Sequence, residues 1–401
     1  MGRMTAPLPR AVKALGLVSL LTDASSEMIY PLLPAFLTGT LKAGPAFLGV
    51  VEGLAEAVAA FVKIGSGALS DRVARRKPVV VAGYGLSSLV RPLVALATAP
   101  LHVLAVRVLD RVGKGVRSAP RDALLAEVTA PEDRGRAYGF HRAMDHTGAM
   151  IGPLLASAAL LVTHDLRTVF ALAAIPAALA MAALVFRVRE PSRKEVGPPG
   201  PRASSAPADL GGRPFRFYLL VLAVFTLGNS SDAFLLLRAQ EAGVALAFIP
   251  LLWAFHHLVK AATSTWGGTL SDRWGRRRAI LGGWAVYCLA YAGFALARSP
   301  LQVVSLFGFY GLFHALTEGP ERALVADLTG SKGRGRAFGL YHAVTGAMLL
   351  PASLLTGVLW QTCGAAAALG AGALIAAVAA LGLWLLVPEP APRSPSPTAA
   401  I

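Results

Sequence analysis

Apolar residues run along this chain in long stretches, and polar residues are gathered mostly into short breaks between them. Twelve apolar stretches, each near the ~20 residues that a helix needs to cross a hydrocarbon core, lie close to 14–37, 46–68, 79–98, 101–124, 138–162, 167–186, 217–237, 245–266, 279–297, 301–325, 338–360 and 365–387. They predict an all-α membrane protein. The first stretch is too long for a cleavable signal, lacks a small-residue cleavage site, and contains Asp23 and Glu27. The longest polar break, REPSRKEVGPPGPRASSAPADLGGRPFR, is rich in Pro, Gly and Ser and reads as a linker. The expected organisation is a six-helix bundle over 1–190, a linker over 191–216 and a second six-helix bundle over 217–401.

Composition narrows the class further. The chain is 55% hydrophobic and 15% charged, against about a quarter charged in soluble domains. Two cysteines, Cys288 and Cys363, cannot build a disulfide scaffold or a thiolate metal site, so no cofactor and no metal are expected. The net charge of +16 is mostly topological. Lys and Arg number 24 in the termini and the even-to-odd connections, against four (Lys42, Arg167, Arg238, Arg298) in the others. The positive-inside rule then puts both termini in the cytoplasm, in a cell membrane, and leaves no case for nucleic acid as a partner. Without a GxxxxGK[ST] sequence, ATP-driven transport is excluded, and no Ser/His, Cys/His or zinc constellation at productive spacing supports an enzyme.

The halves repeat each other. GALSDRVARRK at 67–77 returns as GTLSDRWGRRR at 268–278, APRDALLAEVT at 119–129 as GPERALVADLT at 319–329, and RGRAYGFHRA at 134–143 as RGRAFGLYHA at 334–343. A repeat containing an even number of spans preserves orientation, so the halves should be related by an axis along the membrane normal. With GxLSDRxxRRK between spans 2 and 3 and again between 8 and 9, the chain resembles the major facilitator superfamily of secondary transporters over its whole length. The resemblance implies two pseudo-symmetric six-helix bundles working by alternating access.

It also implies roles for particular residues. The loop motif would act as a conformational latch through Gly67, Asp71, Arg72 and Arg75 in one half and Gly268, Asp272, Arg273 and Arg276 in the other. Its first copy has Ala74 where the family has glycine, which predicts an altered turn but not a lost latch. Gly148, Gly152 and Pro153 resemble the bend motif of proton-coupled antiporters, with drug/proton antiporters as the nearest branch. Small residues four apart also serve close helix packing, and that alternative stands beside it.

Span 4 carries Arg107, Asp110, Arg111, Lys114, Arg117, Arg121 and Asp122. At 100° per residue Arg107, Arg111, Lys114 and Arg121 fall in a stripe about 80° wide. Each charge at bilayer centre costs about 2.5 kcal/mol or more, so the stripe must face water or opposite charge. In one reading Asp23, Glu27 and Asp110 neutralise Arg107, Arg111 and Lys114 as a structural network. In the other, Arg111 and Lys114 bind an anionic substrate while an acid releases a proton in one access state. The proton-coupling set is Asp23, Glu27, Arg107, Asp110, Glu52 and Glu56, and the substrate-binding set is Tyr30, Arg111, Lys114, Asn229, Asp232, Tyr310, His314 and Glu318. Interfacial positions are expected for His141, His342 and most of Trp253, Trp266, Trp274, Trp284 and Trp360, with a place lining the cavity as the alternative for Trp253 and Phe255. The expected function is a monomeric, proton-coupled exporter of a small organic solute. Uptake or exchange of an organic anion, divalent metal export using Asp23, Glu27, Asp232, His146 or His314, and a non-transporting sensor are the alternatives.

Overall fold

In the computed structural model, which describes residues 8–73, 75–129, 134–188, 190, 212–329 and 334–389, helix follows helix through the apolar stretches. The first half holds α1 (Arg10–Ile29), α2 (Pro45–Arg72), α3 (Lys77–Leu96), α4 (Pro100–Glu127), α5 (Arg134–Thr163) and α6 (Leu166–Arg187). The second holds α7 (Gly212–Glu241), α8 (Ile249–Trp274), α9 (Arg276–Leu296), α10 (Pro300–Leu328), α11 (Arg334–Cys363) and α12 (Ala365–Leu386). Nine of these are long and apolar enough to cross a membrane by length and composition. The exceptions, α1, α2 and α4, carry most of the charged residues of the seam described below.

Local chemistry sets where helices start and bend. Proline occupies the first helical position of α2, α4 and α10, where its missing N–H has no intrahelical partner to lose. Pro31 and Pro34 remove donors at the end of α1, and the chain tightens through Tyr30–Leu32 and widens through Phe36–Thr40. Asp165 caps α6 by accepting from the Arg167 and Thr168 N–H groups at 3.2 and 2.9 Å. Hydrogen bonds from the Thr168 hydroxyl and backbone hold its carboxyl below the usual carboxylate range. Two differences from the sequence reading stand out: α7 starts at Gly212, earlier than expected, and its helix breaks at 229–232.

The halves meet at the end opposite the basic loops. There Met28, Leu32, Phe36, Leu48 and Val51 share one apolar core with Phe234, Leu235, Ile249 and Trp360. Glycines let backbones touch across the seam: a Cβ on Gly49 would stand 2.2 Å from the Ser353 carbonyl oxygen, and one on Gly53 2.9 Å from the Leu350 Cα. At the basic end the first half keeps a separate cluster of Val12, Leu15, Val80, Tyr84, Leu124 and Leu184. A Cβ on Gly65, Gly139, Gly319 or Gly339 there would meet nothing within 4 Å among the described residues. Among the described residues the hydrogen bonds that join the halves (Ala46 to Gln361, Ser157 to Ala247, Ser231 to Glu52, Tyr30 with Ser231, Trp253 to Glu27) all lie toward the far end, so the molecule is closed there and open at the basic end. Large apolar side chains such as Leu89, Leu101, Val162, Phe186 and Leu301 cover its outer face, as a lipid-facing surface requires.

Candidate functional site

The charges of α4 point inward. Arg107, Asp110, Arg111 and Arg117 are all buried. Their partners differ from the three-against-three scheme, because α2 and α3 supply the opposite charges and α1 does not. Arg107 donates through Nε and Nη2 to Glu52 Oε1 at 3.2 and 2.7 Å. Arg111 Nε lies 2.9 Å from Glu56 Oε1, with Asp110 Oδ2 3.6 Å from its Nη1. Arg91 of α3, not singled out from the sequence, takes the other side of Asp110 at 2.8 Å and also reaches the Thr22 carbonyl. Geometry explains the exchange: α4 packs along α2 and α3, whereas it barely touches α1. Arg117 is held by the Ser87 hydroxyl at 2.8 Å and stands over the Tyr84 ring.

This pairing leaves Lys114 exposed and Asp23 half-buried on the cavity side, neither in an ion pair among the described residues. Further toward the basic end Asp145 accepts from the Ser19 hydroxyl and lies 3.5 Å from His141 and 3.6 Å from Arg142. His141 is thus buried against a carboxylate and is not interfacial, while His342 is exposed as expected.

Two carboxylates of the first half reach across the seam. Trp253 Nε1 of α8 donates to Glu27 Oε2 at 2.8 Å. The Ser231 hydroxyl, in the break of α7, donates to Glu52 Oε2 at 3.3 Å and lies 3.4 Å from the Tyr30 hydroxyl. Tyr30 in turn packs on Trp253 at 5.4 Å between ring centroids and lies under the Arg107 guanidinium at 5.5 Å. Glu27, Tyr30, Glu52 and Arg107 therefore converge with Ser231 and Trp253 at the closed end. Trp284 and Trp360 are also buried, the latter donating to Glu241 at 3.0 Å, so only part of the tryptophan set is peripheral. Ser231 belongs to the polar group Asn229, Ser231 and Asp232 set within the apolar run of span 7, and that polarity is the signal it carries in the sequence.

The second half answers the charged stripe with aromatic rings. Where α4 has Arg107, Asp110 and Lys114, α10 has Phe307, Tyr310 and His314. Tyr310 donates to Asp232 Oδ1 at 2.9 Å and lies against Tyr287, Tyr291 and Phe313. Glu318 pairs with Lys260 at 3.1 Å and with His314 at 3.3 Å. Asn229 is half-buried in the break of α7, beside the Gly228 carbonyl that accepts from the Tyr287 hydroxyl.

The latch residues sort differently from the expectation. Asp71 and Arg72 have side chains outside the described residues, as has Ala74, and Arg75 and Arg273 are exposed. Among the described residues of the first-half loop, Arg76 bonds Glu127 and the Ser70 hydroxyl, while its backbone N–H donates to Glu190. In the second half Arg276 pairs with Asp272 and reaches Asp327 and the Ser271 hydroxyl, and the Arg277 N–H donates to Glu389. The paired arginine thus slips by one position between copies. Helix α8 runs to Trp274 and turns through Gly275 at φ +100°, whereas α2 stops at Arg72 and leaves through extended Val73. The second-half turn uses a left-handed residue that alanine adopts poorly. Gly268 faces open space and Gly67 only ordinary contact; the close approach belongs to Gly267, whose Cβ would stand 2.1 Å from the Ala315 oxygen. All these pairs lie within one half, in keeping with an open basic end.

Gly148 and Gly152 pack against α1 of their own half, where added Cβ atoms would meet the Leu20 and Ala24 oxygens at 2.3 and 2.4 Å. Pro153 sits inside α5 without ending it.

Comparison with known proteins agrees with this architecture. The Major Facilitator Superfamily model matches residues 15–255 and again 217–401. An uncharacterized MFS-type transporter of Methanocaldococcus jannaschii is 35% identical over 88% of this chain and 89% of its own. A multidrug resistance protein, MdtH of Photorhabdus laumondii, is 32% identical, but over 32% of each chain. Among solved structures, the nucleoside transporter NupG shares the fold with a TM-score of 0.77 at 13% identity, covering 94% of this chain and 98% of that one. Two six-helix halves, a broken α7 and a charged seam open at one end are what alternating access needs, and the chain belongs to the major facilitator superfamily as a multi-pass secondary transporter of a small-molecule substrate.

Proposed function

We propose that this transporter exports a small organic solute in exchange for protons, with both termini and the open end of the seam in the cytoplasm. One observation carries the coupling: Glu27 and Glu52 of the first half accept hydrogen bonds from Trp253 and Ser231 of the second. These bonds exist only while the far end is closed, so a proton on either carboxylate changes the balance between the two access states. Asp23, half-buried beside the open cavity and without an ion-pair partner among the described residues, is the proton's entry point from the basic end. Arg107 and Asp110 hold Glu52 and Arg91 in register, and Glu56 does the same for Arg111.

Substrate binding falls to the exposed and half-buried groups Lys114, Asn229, Asp232, His314, Glu318 and Tyr30, with buried Tyr310 holding Asp232 behind them. The multidrug resistance name of a partial relative supports export and an organic cargo. A second reading, exchange of an organic anion, is favoured by the exposure of Lys114, although Arg111 is committed to Glu56 and Asp110. The test is purified protein in liposomes with an internal pH dye, challenged with panels of organic cations and organic anions. Proton movement driven by one panel identifies the cargo class. Proton movement that survives both Asp23→Asn and Glu27→Gln overturns the coupling role, and a chain that moves no solute at all overturns the export reading.

A further inference from the structure

Asp232 at the break in α7, His256 of α8 and His314 of α10 each bring one ligand atom to within 4.8 Å of the other two. The hydrogen bonds around them show which lone pairs remain free. His256 Nδ1 lies 3.1 Å from the Phe307 carbonyl oxygen, which can only accept, so this nitrogen carries the proton and Nε2 carries the lone pair. His314 Nδ1 lies 3.3 Å from Glu318 Oε1, which imposes the same tautomer. Both Nε2 atoms are buried without a hydrogen-bond partner, and His256 is 0% exposed. On Asp232, Oδ1 accepts from the Tyr310 hydroxyl, and Oδ2 is left to serve the cluster.

We propose that Asp232, His256 and His314 form a binding site for a divalent first-row transition metal ion of the Zn2+, Co2+ or Ni2+ class. Two neutral imidazoles and one carboxylate suit these ions, whereas Mg2+ and Ca2+ prefer oxygen ligands throughout. The outer partners match those of established sites, in which each ligating histidine donates its other N–H to a carbonyl or carboxylate. Three protein ligands leave a fourth position for water or cargo, and Asp232 and His314 are half-buried, so that position opens toward the cavity. In a tetrahedral site with bonds of about 2.1 Å the ligand atoms stand about 3.4 Å apart. Closing from 4.8 Å is within the reach of small ring rotations. Lys260, which acts on both histidines, is already matched by Glu318 at 3.1 Å, and Asp232 has no ion-pair partner among the described residues.

Burial alone does not produce this arrangement. His257 packs edge-on against Trp253 at 4.8 Å with both ring nitrogens unpartnered, yet it joins no three-residue cluster of ligand atoms among the described residues. Stacking of His256 between Trp253 and Tyr310, at 5.4 and 5.1 Å, accounts for the ring's depth and leaves its Nε2 unexplained.

The site is independent of the proton-coupling proposal, and its test needs no transport. Full-length protein in detergent, stripped with a chelator, is titrated with Co2+ and followed by visible absorption. The expected result is d–d bands that saturate at one equivalent and are displaced by Zn2+. Asp232→Asn and His314→Gln should each weaken Co2+ binding by more than about a hundredfold, and Tyr310→Phe by about ten- to a hundredfold as an outer partner. His342→Gln, at an exposed histidine, should leave binding unchanged. Metal-free melting curves verify that each variant folds, and the Asp232 and His314 variants decide the matter if His256→Ala does not. No saturable signal, or a signal that survives Asp232→Asn and His314→Gln, overturns the proposal.

Discussion

Gly49→Ala and Gly148→Ala add the same methyl group at equally tight positions, yet they should act on different equilibria. The new Cβ would lie 2.2 Å from the Ser353 oxygen at Gly49 and 2.3 Å from the Leu20 oxygen at Gly148. Relief in either case needs a backbone shift of about 1 Å, and such overpacking costs about 1–3 kcal/mol. Ser353 belongs to the opposite half, so at Gly49 the cost falls only on the state closed at the far end. Leu20 belongs to the same half, so at Gly148 it falls on both access states and on overall stability. With 1.4 kcal/mol per factor of ten, Gly49→Ala should shift the access equilibrium by about 5- to 150-fold toward far-end opening. Gly148→Ala should lower the melting temperature and leave that equilibrium where it was. The assay is spin–spin distance measurement across the far end, between Lys42→Cys and the native, exposed Cys363, with Cys288 replaced by Ser. Equal distance distributions for the two variants would refute the assignment of Gly49 to the gate and Gly148 to the scaffold.

Three further outcomes follow from the same contacts. Trp253→Phe removes the donor to Glu27 and, at about 1.5–3 kcal/mol for a hydrogen bond to a charged group, should populate the far-end-open state at least about tenfold more on the same distance measurement. Arg107→Ala leaves Glu52 buried without its cation and should cost about 3–5 kcal/mol of stability, which the paired change Arg107→Leu with Glu52→Leu should largely restore in thermal unfolding. Arg76→Ala should lower thermal stability measurably and Arg75→Ala should not, since Arg76 alone of the two holds Glu127 and Ser70; the reverse order would restore the motif register as the guide to the latch.

An organic cargo, proton exchange and a metal ion at Asp232 make separable demands on the protein. The first two are read as flux and pH in liposomes, the last as absorption in detergent. The two halves divide these roles along chemical lines. Buried ion pairs line the seam face of α4 in the first half, and stacked aromatic and histidine rings line the matching face of α10 in the second, although the two halves share one repeated sequence pattern.

Much of this was legible in the chain alone. Apolar stretches of bilayer length, the repeat near 200 residues and the paired loop motif were enough for twelve spans in two halves and for the family, because hydropathy and periodicity are local quantities. The inward turn of the α4 stripe was legible too, since a charged face cannot meet lipid. Which carboxylate meets which cation was not. Helix periodicity defines the face of α4 but not its neighbour, and only packing puts Glu52, Glu56 and Arg91 against that face in place of Asp23 and Glu27. An altered first-half turn was legible from Ala74, but that Arg76 and not Arg75 meets Glu127 and Ser70 shows only in the packing, where α2 ends at Arg72 and α8 runs on to Trp274. The lone pairs of His256 and His314 were invisible as well, because a histidine's tautomer is chosen by an acceptor on another helix or another turn. Composition and period determined the architecture; the contacts proposed to carry function arose only when distant segments were brought within hydrogen-bond reach.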